Sequence, residues 1–152
     1  MVADARPQFQ CDNVIVLCTG NICRSPMAEA LLRVAFEPAQ VSSAGVGALV
    51  GHSADANAIR LMAAKGYDIT QHKARAFDGQ MGLAHDLVLT MSLSQRHHVE
   101  REWPLLQGRV FTLGFFDDAD IEDPYRRGDA AFRQALVDIE KGVAAWKKRL
   151  GL

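Results

Sequence analysis

Cysteine is scarce in this 152-residue chain, with three in all, at positions 11, 18 and 23. An odd and small number of thiols cannot build the cross-linked framework of a small secreted domain, and it fits a reducing compartment better. Charge of one sign is also lacking: 17 Lys and Arg against 18 Asp and Glu leave a net charge of −1. Such a balance offers no electrostatic bias toward nucleic acid or an anionic membrane. Long apolar runs are missing too. None approaches the roughly 20 residues that a membrane-spanning helix needs, and the first dozen residues lack the basic start and apolar centre of a leader peptide. The expectation is a cytoplasmic protein with neither nucleic acid nor membrane as partner. Repeats, linkers and low-complexity tracts are absent as well. What the chain does have is 49% hydrophobic residues, enough for one compact domain with a substantial core.

The segment Asn13-Val-Ile-Val-Leu17 is short, β-branched and uncharged, the pattern of a buried strand. It delivers Cys18 into the turn Thr19-Gly-Asn-Ile-Cys-Arg24, after which a helix is expected, with Ser25 as N-cap, Pro26 at its first position, and Met27, Ala30, Leu31 and Val34 at helical spacing. A strand, a tight loop and a helix N-terminus together aim backbone N–H groups at one point and gather partial positive charge there, which suits an oxyanion.

Each residue of the turn has a use at such a point. A free cysteine has a pKa of roughly 8.5, and a helix N-terminus with a nearby Arg can bring it to about 3.5 to 7.5, so Cys18 is a candidate nucleophile. Arg24 supplies a planar fork that matches two phosphate oxygens, which a lysine would not. Gly20 leaves room for phosphate to approach the backbone, and Asn21 tolerates a positive φ. The Ser25 hydroxyl can donate toward the sulfur. Zinc is disfavoured at Cys18 and Cys23, because their spacing is one residue too long for a knuckle and no second ligand pair follows; no metal or organic cofactor is expected. A nucleoside triphosphate loop is disfavoured too, for want of a Gly-Lys-Ser/Thr ending.

Further along, Val41 to Ser43 reads as a second strand, Asp55 to Lys65 as a helix capped by Asp55, and Asp86 to Met91 as a third strand. Leu93 to Arg101 reads as a helix ending before Pro104, and Arg109 to Leu113 as a fourth strand. Asp129 to Leu150 carries Phe132, Leu136, Ile139, Val143 and Trp146 at intervals of three and four, a long amphipathic helix. Strands alternating with helices imply an α/β single-domain, three-layer fold: a four-stranded parallel sheet with helices on both faces and a ligand crevice at the carboxyl ends of the strands.

Cys18 to Pro26 resembles the signature loop of the low-molecular-weight protein tyrosine phosphatases. The likeness continues through Ser43-Ala-Gly45, His72-Lys-Ala-Arg75, Asp86-Leu-Val-Leu-Thr-Met91 and Asp123-Pro-Tyr125, and covers nearly all of residues 13–152, leaving 1–12 as an N-terminal extension, expected to be flexible, in which Cys11 has no assigned role. The resemblance implies hydrolysis of phosphotyrosine through a cysteinyl-phosphate. Thr19, Gly20, Asn21, Ile22, Cys23 and Arg24 would bind the phosphate, with inorganic phosphate as product. Chemistry requires a proton donor for the departing phenolate, a contribution of about 10²- to 10⁴-fold. The segment Asp117-Asp-Ala-Asp-Ile-Glu-Asp123 offers five carboxylates. Pro124 fixes the backbone beside Asp123, but only the resemblance ranks Asp123 above Asp120.

The same resemblance implies that Asn21, Ser25, Ser43 and His72 hold the loop preformed and that Tyr125 walls the pocket. Leu49 stands where many members carry a rim aromatic. The stretch Gly47-Ala-Leu-Val-Gly51 resembles bacterial members associated with capsule and exopolysaccharide systems, which would make the partner a phosphotyrosine protein such as the tail of a tyrosine autokinase. Cys23 could trap an oxidised Cys18 as a disulfide. Ser92 and Arg126 depart from residues common elsewhere in the family, an acid and a second tyrosine. The competing readings are an arsenate reductase, which would need further cysteines downstream of Cys23, an arginine phosphatase, which usually has threonine where Ile22 stands, and a noncatalytic phosphopeptide binder.

Overall fold

The computed structural model describes residues 11–152. Four strands form one parallel sheet: β1 (Asn13–Cys18), β2 (Gln40–Gly45), β3 (Leu87–Thr90) and β4 (Val110–Thr112), in the spatial order β2-β1-β3-β4. Five helices accompany them: α1 (Arg24–Ala35), α2 (Ala56–Ala64), α3 (Gly79–Leu83), α4 (Leu93–Glu102) and α5 (Asp129–Leu150). The expected α/β class and all four strands are present, whereas the short α3 was not anticipated. Its five residues carry two glycines and no clear helical stripe, and Asp78 starts it by accepting from the Met81 N–H.

Alternation along β1 explains the two layers. Val14, Val16 and Cys18 join the core made with α1, α2 and α5, while Ile15 and Leu17 face Phe77, Val99 and Leu106 on the other side. A strand buried on both faces must be apolar throughout, and Val14 to Leu17 are all fully buried. The chain leaves β1 for β2 on one side and returns to β3 on the other, so the carboxyl end of β1, at Cys18, is the topological switch point.

Two local readings are corrected. Helix α1 begins at Arg24 with Cys23 in the capping position and no side-chain cap, so Ser25 lies within the first turn and Pro26 is third rather than first. Proline costs nothing there, because the first four helical N–H groups lack intrahelical partners anyway. Ser25 is drawn away from capping by the Cys18 sulfur. The buried stripe of α1 is also rotated: Met27, Ala28 and Leu32 are buried, whereas Val34 is 62% exposed. At the amino end, the Asp12 and Asn13 N–H groups both donate to one oxygen of Asp86, 2.9 Å each, tying the start of β1 to β3. The half-buried Cys11 beside them has its thiol pushed up to about 11 by burial and by Asp86 and Asp12. The rest of the expected extension, residues 1–10, lies outside the described residues.

Helix α5 closes the domain against α1, with Phe132, Leu136, Ile139, Val143 and Trp146 buried as their spacing predicts. At Gly142 the helix meets the strand end so closely that a Cβ would lie 2.8 Å from the Leu113 carbonyl oxygen. Gly→Ala inside a helix ordinarily gains about 1 kcal/mol of propensity, while forcing atoms into a packed interior costs about 1–3 kcal/mol. A rigid carbonyl cannot yield, so Gly142→Ala is expected to lower the urea midpoint, against the propensity trend.

Candidate active site

The loop after β1 is held by its carbonyls. The Cys18, Thr19 and Gly20 oxygens accept from the N–H groups of Val46, Gly47 and Leu49 at 3.0, 2.9 and 3.0 Å. The Asn21 oxygen lies 2.6 Å from His72 Nε2, and the Ile22 oxygen accepts from the Asp55 N–H at 2.7 Å. Five successive carbonyls are thus engaged outside the loop. The backbone N–H groups of Thr19 through Arg24 donate to nothing among the described residues. Buried amides are rarely left unpaired, so such a row at a helix N-terminus marks an anion site.

The side chains lock this shape. Asn21 is fully buried with φ = 60°, and its Nδ2 donates to Ser25 Oγ at 2.8 Å and Ser43 Oγ at 3.0 Å, while its Oδ1 accepts from the Arg75 N–H at 2.9 Å. With Ser25 Oγ accepting a hydrogen bond from Asn21 Nδ2, its own proton is left to point at Cys18 Sγ, 2.9 Å away. That hydroxyl reaches the sulfur from the first turn of α1. Arg75 also donates through Nε to the Ser43 carbonyl at 2.9 Å, tying the two halves of the network together. Sequence reasoning assigned Arg75 no role, and it missed Gln95, whose Nε2 donates to Thr19 Oγ1 at 3.1 Å. Only the family motif containing Arg75 could have flagged the first; nothing local flagged the second.

Arg24 is 5% exposed. One of its terminal nitrogens donates to the Ile121 carbonyl at 2.7 Å, the other lies 3.7 Å from Asp123 Oδ2, and its buried Nε has no partner among the described residues. Of the five carboxylates in the acidic segment, Asp123 alone lines the cavity above Cys18. Asp120 is turned elsewhere, accepting from the Leu93 N–H at the start of α4 at 2.9 Å. Asp123 is half-exposed, and its Oδ1 accepts from the Tyr125 N–H at 3.1 Å.

The cavity holds about 180 Å³ and is lined by Thr19, Gly20, Ile22, Gly47, Leu49 and Tyr125 around Cys18, Cys23, Arg24 and Asp123. Cys18 lines it with only 2% of its surface exposed, beside the apolar side chains of Ile22 and Leu49. Burial, then the Asp55 charge, raises the Cys23 thiol, so this second sulfur stays protonated. The expected site residues are brought together here: Cys18, Thr19, Gly20, Ile22, Cys23, Arg24, Asp123, Leu49 and Tyr125 on the cavity, and Asn21, Ser25, Ser43 and His72 behind it.

A buried cysteine beside a row of unpartnered loop amides, with a buried arginine and a half-exposed carboxylate on the same cavity, is an arrangement that suits phosphate transfer through cysteine. Comparison with known proteins agrees. Residues 13–151 match the family model described as low molecular weight phosphotyrosine protein phosphatase. A probable low molecular weight protein-tyrosine-phosphatase, EpsP of Ralstonia solanacearum, is 45% identical over 137 residues, covering 90% of this chain and 94% of EpsP. The tyrosine phosphatase Wzb from Escherichia coli K30, solved in complex with sulphate, superposes with a TM-score of 0.89 at 37% identity, covering 93% of this chain and 99% of Wzb. The YwlE arginine phosphatase from Geobacillus stearothermophilus superposes at 0.85 with 30% identity, over 91% of this chain and 92% of that one. The chain belongs to the low molecular weight phosphotyrosine protein phosphatase family. As a member it is a protein-tyrosine phosphatase.

Gly45 pairs with Cys18 across β1 and β2, and a Cβ there would sit 2.5 Å from the Thr19 carbonyl oxygen. Gly45→Ala is expected to push the loop off its position and lower kcat/KM on an aryl phosphate by about 10²-fold, the effect of a misplacement near 1 Å, with circular dichroism unchanged.

Proposed function

We propose that Cys18 attacks the phosphorus of a phosphotyrosine side chain while the amides of residues 19–24 and the free donors of Arg24 hold the phosphoryl oxygens. The row of unpartnered amides around the sulfur carries this reading. The S–P bond forms as the P–O(tyrosyl) bond breaks, and Asp123 gives its proton to the departing oxygen. Water then attacks the cysteinyl-phosphate, Asp123 takes a proton from it, the S–P bond breaks, and inorganic phosphate leaves with the thiolate restored. The equatorial oxygens gain charge where fixed donors already point, so little reorganisation is required.

Ile22, Leu49 and Tyr125 make walls that suit an aromatic ring, and the depth of the sulfur requires a long ester to reach it. Serine phosphate is too short. Phosphoarginine is long enough, but its guanidinium would meet the apolar Ile22 without a hydrogen-bonding partner. The biological substrate that best fits the EpsP and Wzb relatives is the phosphotyrosine tail of a bacterial autokinase in exopolysaccharide control. Phosphate release from matched phosphotyrosine, phosphoserine and phosphoarginine peptides, with arsenate reduction in parallel, tests the assignment. Phosphotyrosine should exceed the other two peptides by about 10²-fold in kcat/KM. Asp123→Asn should lower kcat on the tyrosyl ester by about 10²- to 10⁴-fold, and Cys18→Ser should abolish release. Comparable turnover of phosphoserine would defeat the depth argument.

A second role suits Cys23, which shares the cavity with Cys18. Peroxide converts the Cys18 thiolate to a sulfenic acid, and the Cys23 thiol condenses with it, releasing water and leaving a disulfide that a thiol reductant reopens. After peroxide and then reductant, the parent should regain activity that Cys23→Ser does not; equal recovery would exclude the role.

A further inference from the structure

Among the three described non-glycine residues with positive φ, Asn21 and Asp118 are of the types that tolerate it, and Arg126, at φ = 62°, is not. Arg126 stands third in a turn closed by the Arg127 N–H donating to the Pro124 carbonyl at 3.0 Å. A positive φ at that place is normally given to Gly or Asn. An arginine there bears a conformational cost, offset within the turn only by a stacking contact with Tyr125. Strain of this kind persists where a side chain is needed in that position.

The position is the cavity rim. The Arg126 guanidinium stacks on the Tyr125 ring, 5.1 Å from its centroid, and Tyr125 lines the cavity. Among the described residues Arg126 makes no ion pair, while its neighbour Arg127 lies 3.8 Å from Glu122. Stacking holds the cation in place without neutralising it. Its planar fork is exposed, and a peptide extending from a bound phosphotyrosine by one or two residues, about 3.3–3.6 Å each, passes within its reach.

Resting on the reading that the cavity receives phosphotyrosine, we propose that Arg126 is a specificity residue which pairs with an anionic side chain, a carboxylate or a second phosphoryl group, next to the scissile residue. The turn aims the cation, Tyr125 fixes it, and the substrate supplies the missing counter-charge.

The test uses matched phosphotyrosine peptides flanked by Ala, by Glu or by a second phosphotyrosine, with p-nitrophenyl phosphate as a substrate that has no flanks. Parent, Arg126→Gln, Arg126→Lys and Arg126→Gly are compared. In Arg126→Gln and Arg126→Gly, KM for an anion-flanked peptide should rise about fivefold, the scale of one exposed ion pair, with kcat little changed. The Ala-flanked peptide and p-nitrophenyl phosphate should be unaffected, Arg126→Lys should keep most of the preference, and high salt should erase it in the parent. Whichever flank loses in the variants identifies the anion. Arg126→Gly relieves the backbone strain and should melt no lower than the parent, which separates lost selectivity from lost folding. Equal KM changes on all substrates, or none on either anionic flank, would overturn the proposal. A parent that hydrolyses neither p-nitrophenyl phosphate nor the Ala-flanked peptide would instead overturn the reading beneath it.

Discussion

Five successive carbonyls, from Cys18 to Ile22, find their hydrogen-bond donors outside the loop that carries them, and the shape of the candidate site depends on this. A peptide unit whose oxygen is held outward presents its N–H inward. The donors are spread widely along the chain, at Val46, Gly47, Leu49, Asp55 and His72, so the loop is shaped by the surrounding fold more than by its own sequence. Asn21 completes the arrangement by spanning Ser25, Ser43 and the Arg75 amide from a buried, left-handed position. The anion site is consequently preorganised: its donors are fixed before substrate arrives, and their desolvation has already been met by folding.

The same topology places the sulfur. Parallel pairing of β1 with β2 and β3 puts Cys18 at the strand end where connections diverge, and α1 starts six residues later with its positive end toward that point. The segment after β4 then returns across the cleft. Ile121 anchors the Arg24 guanidinium through its carbonyl, and two residues on, Asp123 faces the same cation. Anchoring one nitrogen leaves the others pointing into the cavity. Asp123 and the Arg24 guanidinium, the proposed proton donor and phosphate clamp, are therefore positioned by one stretch of chain, which continues directly into the Tyr125–Arg126 rim.

Much of this was legible in the residues. The apolar run before Cys18, the Gly-Asn inside the turn and the helical spacing beyond Ser25 announced a strand, an anion loop and a helix, because each of these patterns reports a local backbone preference. The phase of α1 and Ser25 as its N-cap fail for the same reason: local rules made Ser25 a cap, whereas a sulfur brought alongside by β1 takes its hydroxyl, in line with the expected donation toward Cys18. Arg75 and Gln95 gave no usable signal, since their contacts to Asn21, Ser43 and Thr19 cross long stretches of chain.

By itself the sequence determined the order of the strands and of the four longer helices, the position of the thiol at a strand end and the arginine beside a helix start, since these follow from periodicity and backbone preference over a few residues. Only the tertiary structure decided which way the loop amides point, why Gly45 must lack a side chain, and that Asp123 rather than Asp120 faces the thiol. Those outcomes rest on distances between segments far apart in the chain, and such distances exist only once the sheet has assembled and brought them together.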